Sequence, residues 1–364
     1  MTYDAILLAG FGGPRKPEDV VPFLRNVTVG KGIPDERLEA VGQHYSLFDG
    51  CSPINKLTEA LRAALADALR AEGIDLPVIV GNRNWDPFTL DALRQVADAG
   101  GQRVLTVITA AYSSYSGCRQ YREDIAAQVE SLGVPLQVDK VRAYFNTPGF
   151  VAANVDAVVA AFRESEAAGH PEADLVFVTH SIPNAMEAAS AVARPASYAE
   201  QHEEVARLVS GGAGEALGRE LPWRLVFCSR SGPPRTPWLE PDVNDALAEM
   251  AGAGSTAVVL SPIGFITDHM EVIYDLGTEA AATARELGLG FVQAATAGTH
   301  PAFVAGIVQV VKERMGLVEP AVVGELPTWE PVCAENCCLM PRRPGGHGSV
   351  GGHGGGSGRW QRPT

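Results

Sequence analysis

Residues 257–279, AVVLSPIGFITDHMEVIYDLGTE, join a predicted buried strand to a predicted acidic helix face. The aliphatic run Ala257–Pro262 predicts the strand, and a helix follows it. In that helix Glu271, Asp275 and Glu279 are four residues apart, so their carboxylates share one face. Like charges at this spacing repel, and either surrounding water or a bound cation relieves the repulsion. Open α/β sheets bind ligands beyond the carboxyl ends of their strands, which is where this row begins.

A second apolar run, Asp174–Thr179, also predicts a strand and is followed directly by His180. If the two strands belong to one sheet, His180 faces the same crevice as the carboxylate row. Imidazole and carboxylate ligands together suit Fe(II), Zn(II) or Mn(II), and they can also form an acid–base pair. A histidine with a purely structural role is the alternative.

The composition excludes several classes of function. The chain has 364 residues with 29 Lys and Arg against 43 Asp and Glu, a net charge of −14 that argues against a nucleic-acid surface. No apolar run approaches the roughly 20 residues of a membrane span. The apolar run at the N-terminus is too short for a signal peptide. We therefore predict a cytoplasmic protein without a membrane span, and we expect a monomer.

Strands alternate with amphipathic helices along most of the chain, which predicts an α/β protein with parallel sheets flanked by helices. The predicted strands are Ala5–Ala9, Val78–Gly81, Val104–Ile108, Leu175–Val178, Leu225–Phe227, Ala257–Leu260 and Phe291–Gln293. The predicted divisions are 1–147 and 148–299 for two similar units, 300–325 for a helix packing back on the first unit, 326–343 for a cysteine-containing segment and 344–364 for a disordered Gly- and His-rich tail.

Three of the six cysteines, Cys333, Cys337 and Cys338, lie within six residues near the end of the predicted core. Because a cytoplasmic chain seldom carries structural disulfides, this clustering favours a metal centre over three free thiols. An all-thiolate iron–sulfur or zinc site needs a fourth sulfur. Our candidate is Cys118, in the loop after strand Val104–Ile108.

Five motifs in order along the chain give the sequence a family resemblance. They are LLAGFGGP at 7–14, CSPIN at 51–55, THSIP at 179–183, PWLEPD at 237–242 and PIGFITDHMEVIYD at 262–275. From about Ala5 to Met340 the sequence resembles the ferrochelatases, which insert Fe(II) into a porphyrin. The resemblance implies two Rossmann-like domains, each a parallel sheet flanked by helices, with a porphyrin cleft between them. It also implies that His180 and Glu271 are the central catalytic pair.

Within that family the sequence is most similar to the soluble Gram-positive type, which uses coproporphyrin III, and to its members with a C-terminal [2Fe-2S] cluster. This implies Fe(II) as substrate and a cluster held by Cys118, Cys333, Cys337 and Cys338, with a four-cysteine zinc site as the alternative. The region His44–Ser52 is of mixed polarity, which favours coproporphyrin III over protoporphyrin IX.

The resemblance also implies a role for each site residue. His180 is the base or a metal contact, Glu271 its partner, and Asp275 and Glu279 an outer relay for metal or protons. Porphyrin-binding candidates are Phe11, Arg25, Lys31, His44, Ser52 and Tyr121. Gram-positive relatives commonly have Tyr at the position of Phe11, so a metal-ligand role is lost there. Relatives place Arg at the position of His44.

Other interpretations stay open at this point. The protein could use protoporphyrin IX, insert cobalt, or act as a non-catalytic tetrapyrrole or metal carrier with a redox-sensing cluster. His269 is not counted as a ligand, because on a helix starting at about Asp268 it would lie roughly 200° around from Glu271.

Overall fold

The structure is a computed structural model that describes residues 2–232 and 235–341. The predicted tail, 344–364, and the last two residues of the cysteine segment lie outside the described residues. The strands are β1 Ala5–Gly10, β2 Val78–Asn82, β3 Arg103–Ile108, β4 Gln137–Lys140, β5 Asp174–His180, β6 Trp223–Cys228, β7 Ala257–Ser261 and β8 Gly290–Gln293.

Eleven α-helices are found in the described ranges. They are α1 Val20–Val27, α2 Asp35–Ser46, α3 Ile54–Ala71, α4 Thr89–Asp98, α5 Gln120–Leu132, α6 Pro148–Ala167, α7 Asn184–Ser190, α8 Tyr198–Leu217, α9 Val243–Gly252, α10 Ala281–Glu286 and α11 Pro301–Met315. A 3₁₀ turn covers Pro17–Asp19, and two π-helical segments, Tyr115–Arg119 and Glu271–Ala280, precede α5 and α10.

The strands form two four-stranded sheets, with orders β2-β1-β3-β4 and β6-β5-β7-β8. Every pairing within them is parallel. In both sheets the second strand along the chain lies at one edge, followed by the first, the third and the fourth. The central strands are almost wholly buried, because helices cover both faces. The prediction of two α/β units with parallel, helix-flanked sheets is confirmed.

The strand β4 was not expected from the sequence. Its residues, QVDK, lack an apolar run, and all four are exposed or half-buried. An edge strand has a neighbour on one side only, and its register with β3 is set by backbone pairing between Arg103–Thr106 and Gln137–Lys140. Composition therefore carried no strand signal here.

Two helices connect the units. The helix α6 begins at Pro148, after the N-cap Thr147, whose Oγ1 accepts a hydrogen bond from the Phe150 amide at 3.3 Å. The helix α11 packs against α6 and against α3 of the first unit. At this crossing a Cβ atom on Gly149 would lie 3.0 Å from the Cα of Gly306, so the two backbones touch where neither residue has a side chain.

The segment after β7 differs from the predicted α-helix. It is irregular from Pro262 to His269, and the following turns, Glu271–Ala280, form a π-helix with i→i+5 hydrogen bonds. The Thr278 hydroxyl follows the same spacing and donates to the Ile273 carbonyl at 3.0 Å. None of the helices in the described ranges combines the length and apolar character needed to cross a bilayer.

Candidate active site

The strands β5 and β7 lie side by side, so their carboxyl ends open on the same edge of the second sheet. His180 is the last residue of β5, and the segment after β7 brings Glu271 opposite it. The His180 Nε2 and Glu271 Oε1 atoms are 3.4 Å apart, with 32% and 42% of the two side chains exposed. The pair is therefore open to solvent.

The orientation of the His180 ring is fixed from its other nitrogen. Nδ1 hydrogen-bonds the carbonyl of Ser181, and that bond requires a proton on Nδ1. In the neutral imidazole the lone pair then lies on Nε2, on the side of Glu271. This is the tautomer that a metal contact or a base at Nε2 requires.

Charge interactions make His180 and Glu271 an ion pair in the metal-free protein. Burial by itself would lower the pKa of His180, but the Glu271 carboxylate outweighs it and raises that pKa to about 9. Burial likewise opposes ionisation of Glu271, yet the imidazolium of His180 lowers the pKa of Glu271 to about 2. A cation that arrives at Glu271 competes with the imidazolium proton for the same carboxylate.

The carboxylate row runs from this pair towards solvent. Asp275 accepts a hydrogen bond from the Ser229 hydroxyl, and burial together with the Glu271 charge raises the pKa of Asp275 to about 7. Glu279 is exposed. The three side chains share one side of the π-helix, as predicted for an α-helix, because residues four apart still lie about one turn apart.

His269 lies closer to the pair than its predicted position. Because it precedes the first helical turn, the 200° argument does not apply. Its Nδ1 is 3.8 Å from Glu271 Oε2 and accepts a hydrogen bond from the Glu271 amide at 3.2 Å. Burial lowers the pKa of His269, which keeps it a neutral acceptor. In the sequence His269 stands two residues before Glu271, and the prediction placed both residues on one α-helix, which the structure does not have here.

Residues of the first unit pack beside the segment that carries Glu271. Phe11 follows β1, is 37% exposed, and packs edge-on against Phe23 with ring centroids 6.2 Å apart. On α2, the His44 ring stacks on Tyr274 of the π-helix at 4.1 Å and 13°. The helix α2 therefore reaches across to the acidic segment of the second unit.

The remaining porphyrin-binding candidates are spread along the first unit. Ser52 is buried beside Gly13, and Tyr121 is buried under the Arg83 guanidinium, 5.0 Å from the ring centroid. Lys31 is exposed in the loop between α1 and α2. Arg25 is already paired with Asp35, with Nη2 to Oδ2 at 2.7 Å.

The four candidate cluster cysteines come together in the fold. The Cys118 thiol, in the π-helical turn Tyr115–Arg119, hydrogen-bonds Cys333, and Cys337 Sγ lies 3.4 Å from Cys338 Sγ. Arg194 donates from Nη2 to Cys333 Sγ at 2.8 Å and from Nε to Cys337 Sγ at 3.1 Å. No sequence pattern pointed to Arg194.

Hydrogen bonds from Cys118 and Cys337 lower the pKa of Cys333, and the Arg194 guanidinium adds to this effect. A lowered pKa favours the thiolate of Cys333, which is the form that binds metal. Across residues 2–232 and 235–341, no group of three or more His, Cys, Asp or Glu side chains is arranged to hold a single metal ion.

Comparison with known proteins agrees with these observations. The family model described as Ferrochelatase matches residues 3–315. Over 349 residues the chain is 49% identical to a Streptomyces coelicolor protein named Coproporphyrin III ferrochelatase, covering 92% of this chain and 93% of that protein. It is 48% identical over 347 residues to a Rhodopirellula baltica protein named Ferrochelatase, covering 94% and 95% respectively.

Among solved structures, SirB from Bacillus subtilis with Fe3+ aligns with a TM-score of 0.49 at 13% identity, over 86% of this chain and 95% of that one. The family model spans the whole stretch from β1 to α11, including both His180 and Glu271. This protein is therefore a member of the ferrochelatase family.

Proposed function

We propose that this protein inserts Fe(II) into coproporphyrin III and releases the two pyrrole protons. The observation on which the proposal depends is the approach of His180 Nε2 to Glu271 Oε1 at 3.4 Å, at the carboxyl ends of β5 and β7. The name of the Streptomyces coelicolor relative supports coproporphyrin III as the porphyrin.

The charge balance of the site suggests how His180 acts. As a base His180 must be neutral, whereas beside Glu271 it holds a proton at pH 7. Fe(II) entering along Glu279 and Asp275 towards Glu271 would replace that proton as the partner of the carboxylate, and the displaced imidazolium proton would pass to bulk water. The freed Nε2 would then contact the metal or accept one pyrrole proton, and the second proton would leave along the carboxylate row.

The first unit favours a porphyrin that carries several carboxylates. The ammonium of Lys31 and the ring of His44 can bind propionates, while Phe11 packs against the macrocycle. The hydroxyl groups of Ser52 and Tyr121 are weaker candidates, because both residues are buried. Arg25 is a weaker candidate, because Asp35 already occupies its guanidinium. Protoporphyrin IX, with two propionates, would use fewer of these groups.

We further propose that Cys118, Cys333, Cys337 and Cys338 hold a [2Fe-2S] cluster. Four thiols and no other ligand type converge here, and such an all-cysteine set fits iron–sulfur chemistry. A four-cysteine zinc site would use the same four thiols, and the metal content of the purified protein distinguishes the two. When bound, the cluster would supply a one-electron redox centre. Arg194 would orient two of its thiolates.

Turnover on the two porphyrins tests the assigned function. Under anaerobic conditions with Fe(II), we expect many turnovers on coproporphyrin III and far fewer on protoporphyrin IX. The His180→Ala variant should lose metal insertion, whereas His300→Ala, which removes a histidine paired with Asp156 at 3.2 Å, should not. Stoichiometric product would instead support a carrier, and an active His180→Ala variant would exclude the assigned base.

The spectrum of the purified protein tests the cluster. Protein from an iron-replete anaerobic preparation should be reddish and bleach on reduction. Cys118→Ser should abolish this absorbance, while Cys51→Ser, which removes an exposed free thiol, should preserve it. Iron-free protein with bound zinc would contradict the cluster. We also propose a cytoplasmic monomer, which size-exclusion chromatography with light scattering tests for the oligomeric state.

A further inference from the structure

A buried chain of hydroxyl and imidazole groups lies directly behind His180. The Tyr198 hydroxyl, on the first turn of α8, donates to the His180 carbonyl at 3.1 Å and lies 2.8 Å from Thr179 Oγ1. Thr179 Oγ1 in turn lies 2.9 Å from His202 Nε2. Thr179 and His202 are fully buried and Tyr198 is 7% exposed. The mechanism above uses none of these three groups.

The direction of the hydrogen bonds in this chain can be assigned. His202 Nδ1 lies 2.7 Å from the Tyr198 backbone carbonyl, which can only accept, so Nδ1 carries the proton. Burial lowers the pKa of His202 to about 3, so the ring is neutral and Nε2 is an acceptor. Thr179 must then donate to His202. The Tyr198 hydroxyl is left as the donor shared by Thr179 Oγ1 and the His180 carbonyl.

The same hydrogen-bonded side chains also contact the segment that carries Glu271. Gly264 packs on Thr179 so closely that a Cβ atom there would lie 2.7 Å from Thr179 Cα. Tyr112, from the first unit, stacks on His202 with centroids 3.5 Å apart and donates its hydroxyl to the Ile263 carbonyl at 3.0 Å. The backbones before His180 and before Glu271 are therefore tied to one buried cluster.

We propose that Tyr198, whose hydroxyl is held by Thr179 and His202, is a positioning residue for metal insertion, because it fixes the His180 backbone so that Nε2 stays opposite Glu271. This inference rests on the proposed function for its kinetic test. Tyr198 contacts neither metal nor porphyrin in this role. Its hydroxyl acts on the carbonyl of the residue that does.

The Tyr198→Phe variant tests the proposal by removing one oxygen atom. A displaced ligand or base costs about 10- to 100-fold in rate or metal affinity. We therefore expect kcat for Fe(II) insertion to fall by about that factor, with KM for the porphyrin unchanged within about twofold, since the propionate contacts lie elsewhere. Thr179→Val should reproduce the loss, and Thr179→Ser, which keeps the hydroxyl, should restore most of the rate.

A matched control exists in the first unit. Tyr144 is also buried, and its hydroxyl donates to the carbonyl of Ile108, at the end of β3, at 2.7 Å. Tyr144→Phe makes the same chemical change and should lower the unfolding temperature similarly while leaving kcat at the wild-type value. Equal kcat losses in both variants, or wild-type kcat in Tyr198→Phe, would overturn the positioning role.

A second readout does not need turnover. Mn(II) prefers carboxylate and imidazole to thiols, so its binding, followed by electron paramagnetic resonance, reports on His180 and Glu271 rather than the cysteines. The Mn(II) binding that is lost in the His180→Ala variant defines the binding that is specific to this site. Tyr198→Phe should weaken that binding by about tenfold. If the wild-type protein binds Mn(II) but never turns over, the proposed function fails, and the Mn(II) affinity still tests the role of Tyr198. An unchanged Mn(II) affinity in Tyr198→Phe would refute that role.

Discussion

Replacing Gly264 by alanine should separate His180 from Glu271 without touching either side chain. The new Cβ would lie 2.7 Å from Thr179 Cα, whereas non-bonded carbon atoms pack at about 3.5–4.0 Å. The segment after β7 must therefore move by about 1 Å, away from the strand that ends in His180. That shift also stretches the 3.1 Å hydrogen bond from the Gly264 amide to the Val178 carbonyl.

Two effects of different size follow from this displacement. Overpacking in a buried site costs about 1–3 kcal/mol of unfolding free energy. A misplacement of about 1 Å at a reacting centre costs about 100-fold in rate. We therefore expect Gly264→Ala to fold, to unfold at a moderately lower denaturant concentration, and to insert Fe(II) about two orders of magnitude more slowly.

The assay combines urea unfolding with anaerobic kcat for Fe(II) insertion on one preparation. Gly211→Ala is the matched control, because a Cβ on that residue of α8 meets nothing within 4 Å. It should raise stability by up to about 1 kcal/mol, as alanine does over glycine in a helix, and leave kcat unchanged. Wild-type kcat and stability in Gly264→Ala would refute the close packing of Gly264 on Thr179 as the origin of the pair geometry.

Three further predictions concern charge. In metal-free protein, Glu271→Gln should bring the pKa of His180 down from about 9 to its usual 6.5 or below, as read from the imidazole NMR signals. The wild-type pair stabilises fully between about pH 4.5 and 6.5, where both groups are charged in the folded protein, and loses this as pH rises through 9 or falls through 2. The stability advantage of the wild-type protein should therefore disappear above pH 9. Asp275→Asn should stabilise metal-free protein above pH 7, because burial disfavours that carboxylate, and the gain should disappear as pH falls through 7 towards 4; a constant gain would contradict the raised pKa. Arg142→Met should lower the free energy of unfolding in urea by about 3–5 kcal/mol, because it removes the cation that lies 2.7 Å from the buried Glu313 carboxylate. A loss below about 1 kcal/mol would contradict a buried ion pair.

The apolar strands could be predicted because a strand that is buried on both faces consists almost entirely of apolar residues. The run Val258–Leu260 needs no tertiary information to be placed in a sheet, and His180 and Glu271 follow from strand ends that meet at one edge. The edge strand β4 has no such apolar run, because its residues are exposed or half-buried.

The local backbone of the site could not be predicted from spacing. A π-helix and an α-helix both align residues four apart, so the spacing of the carboxylate row does not distinguish the two. The position of His269 could not be predicted for the same reason, since it depends on where the first turn begins. Long-range partners such as Arg194 leave no periodic signal, because a hydrogen bond to Cys333 across 139 residues constrains only two side chains.

The touching backbones of Gly149 and Gly306 join the start of α6 to α11 with no side chain between them. A Cβ atom at position 149 would lie 3.0 Å from Gly306 Cα, so a larger residue there would force the two helices apart. Since α11 also packs against α3, that displacement would extend into the first unit.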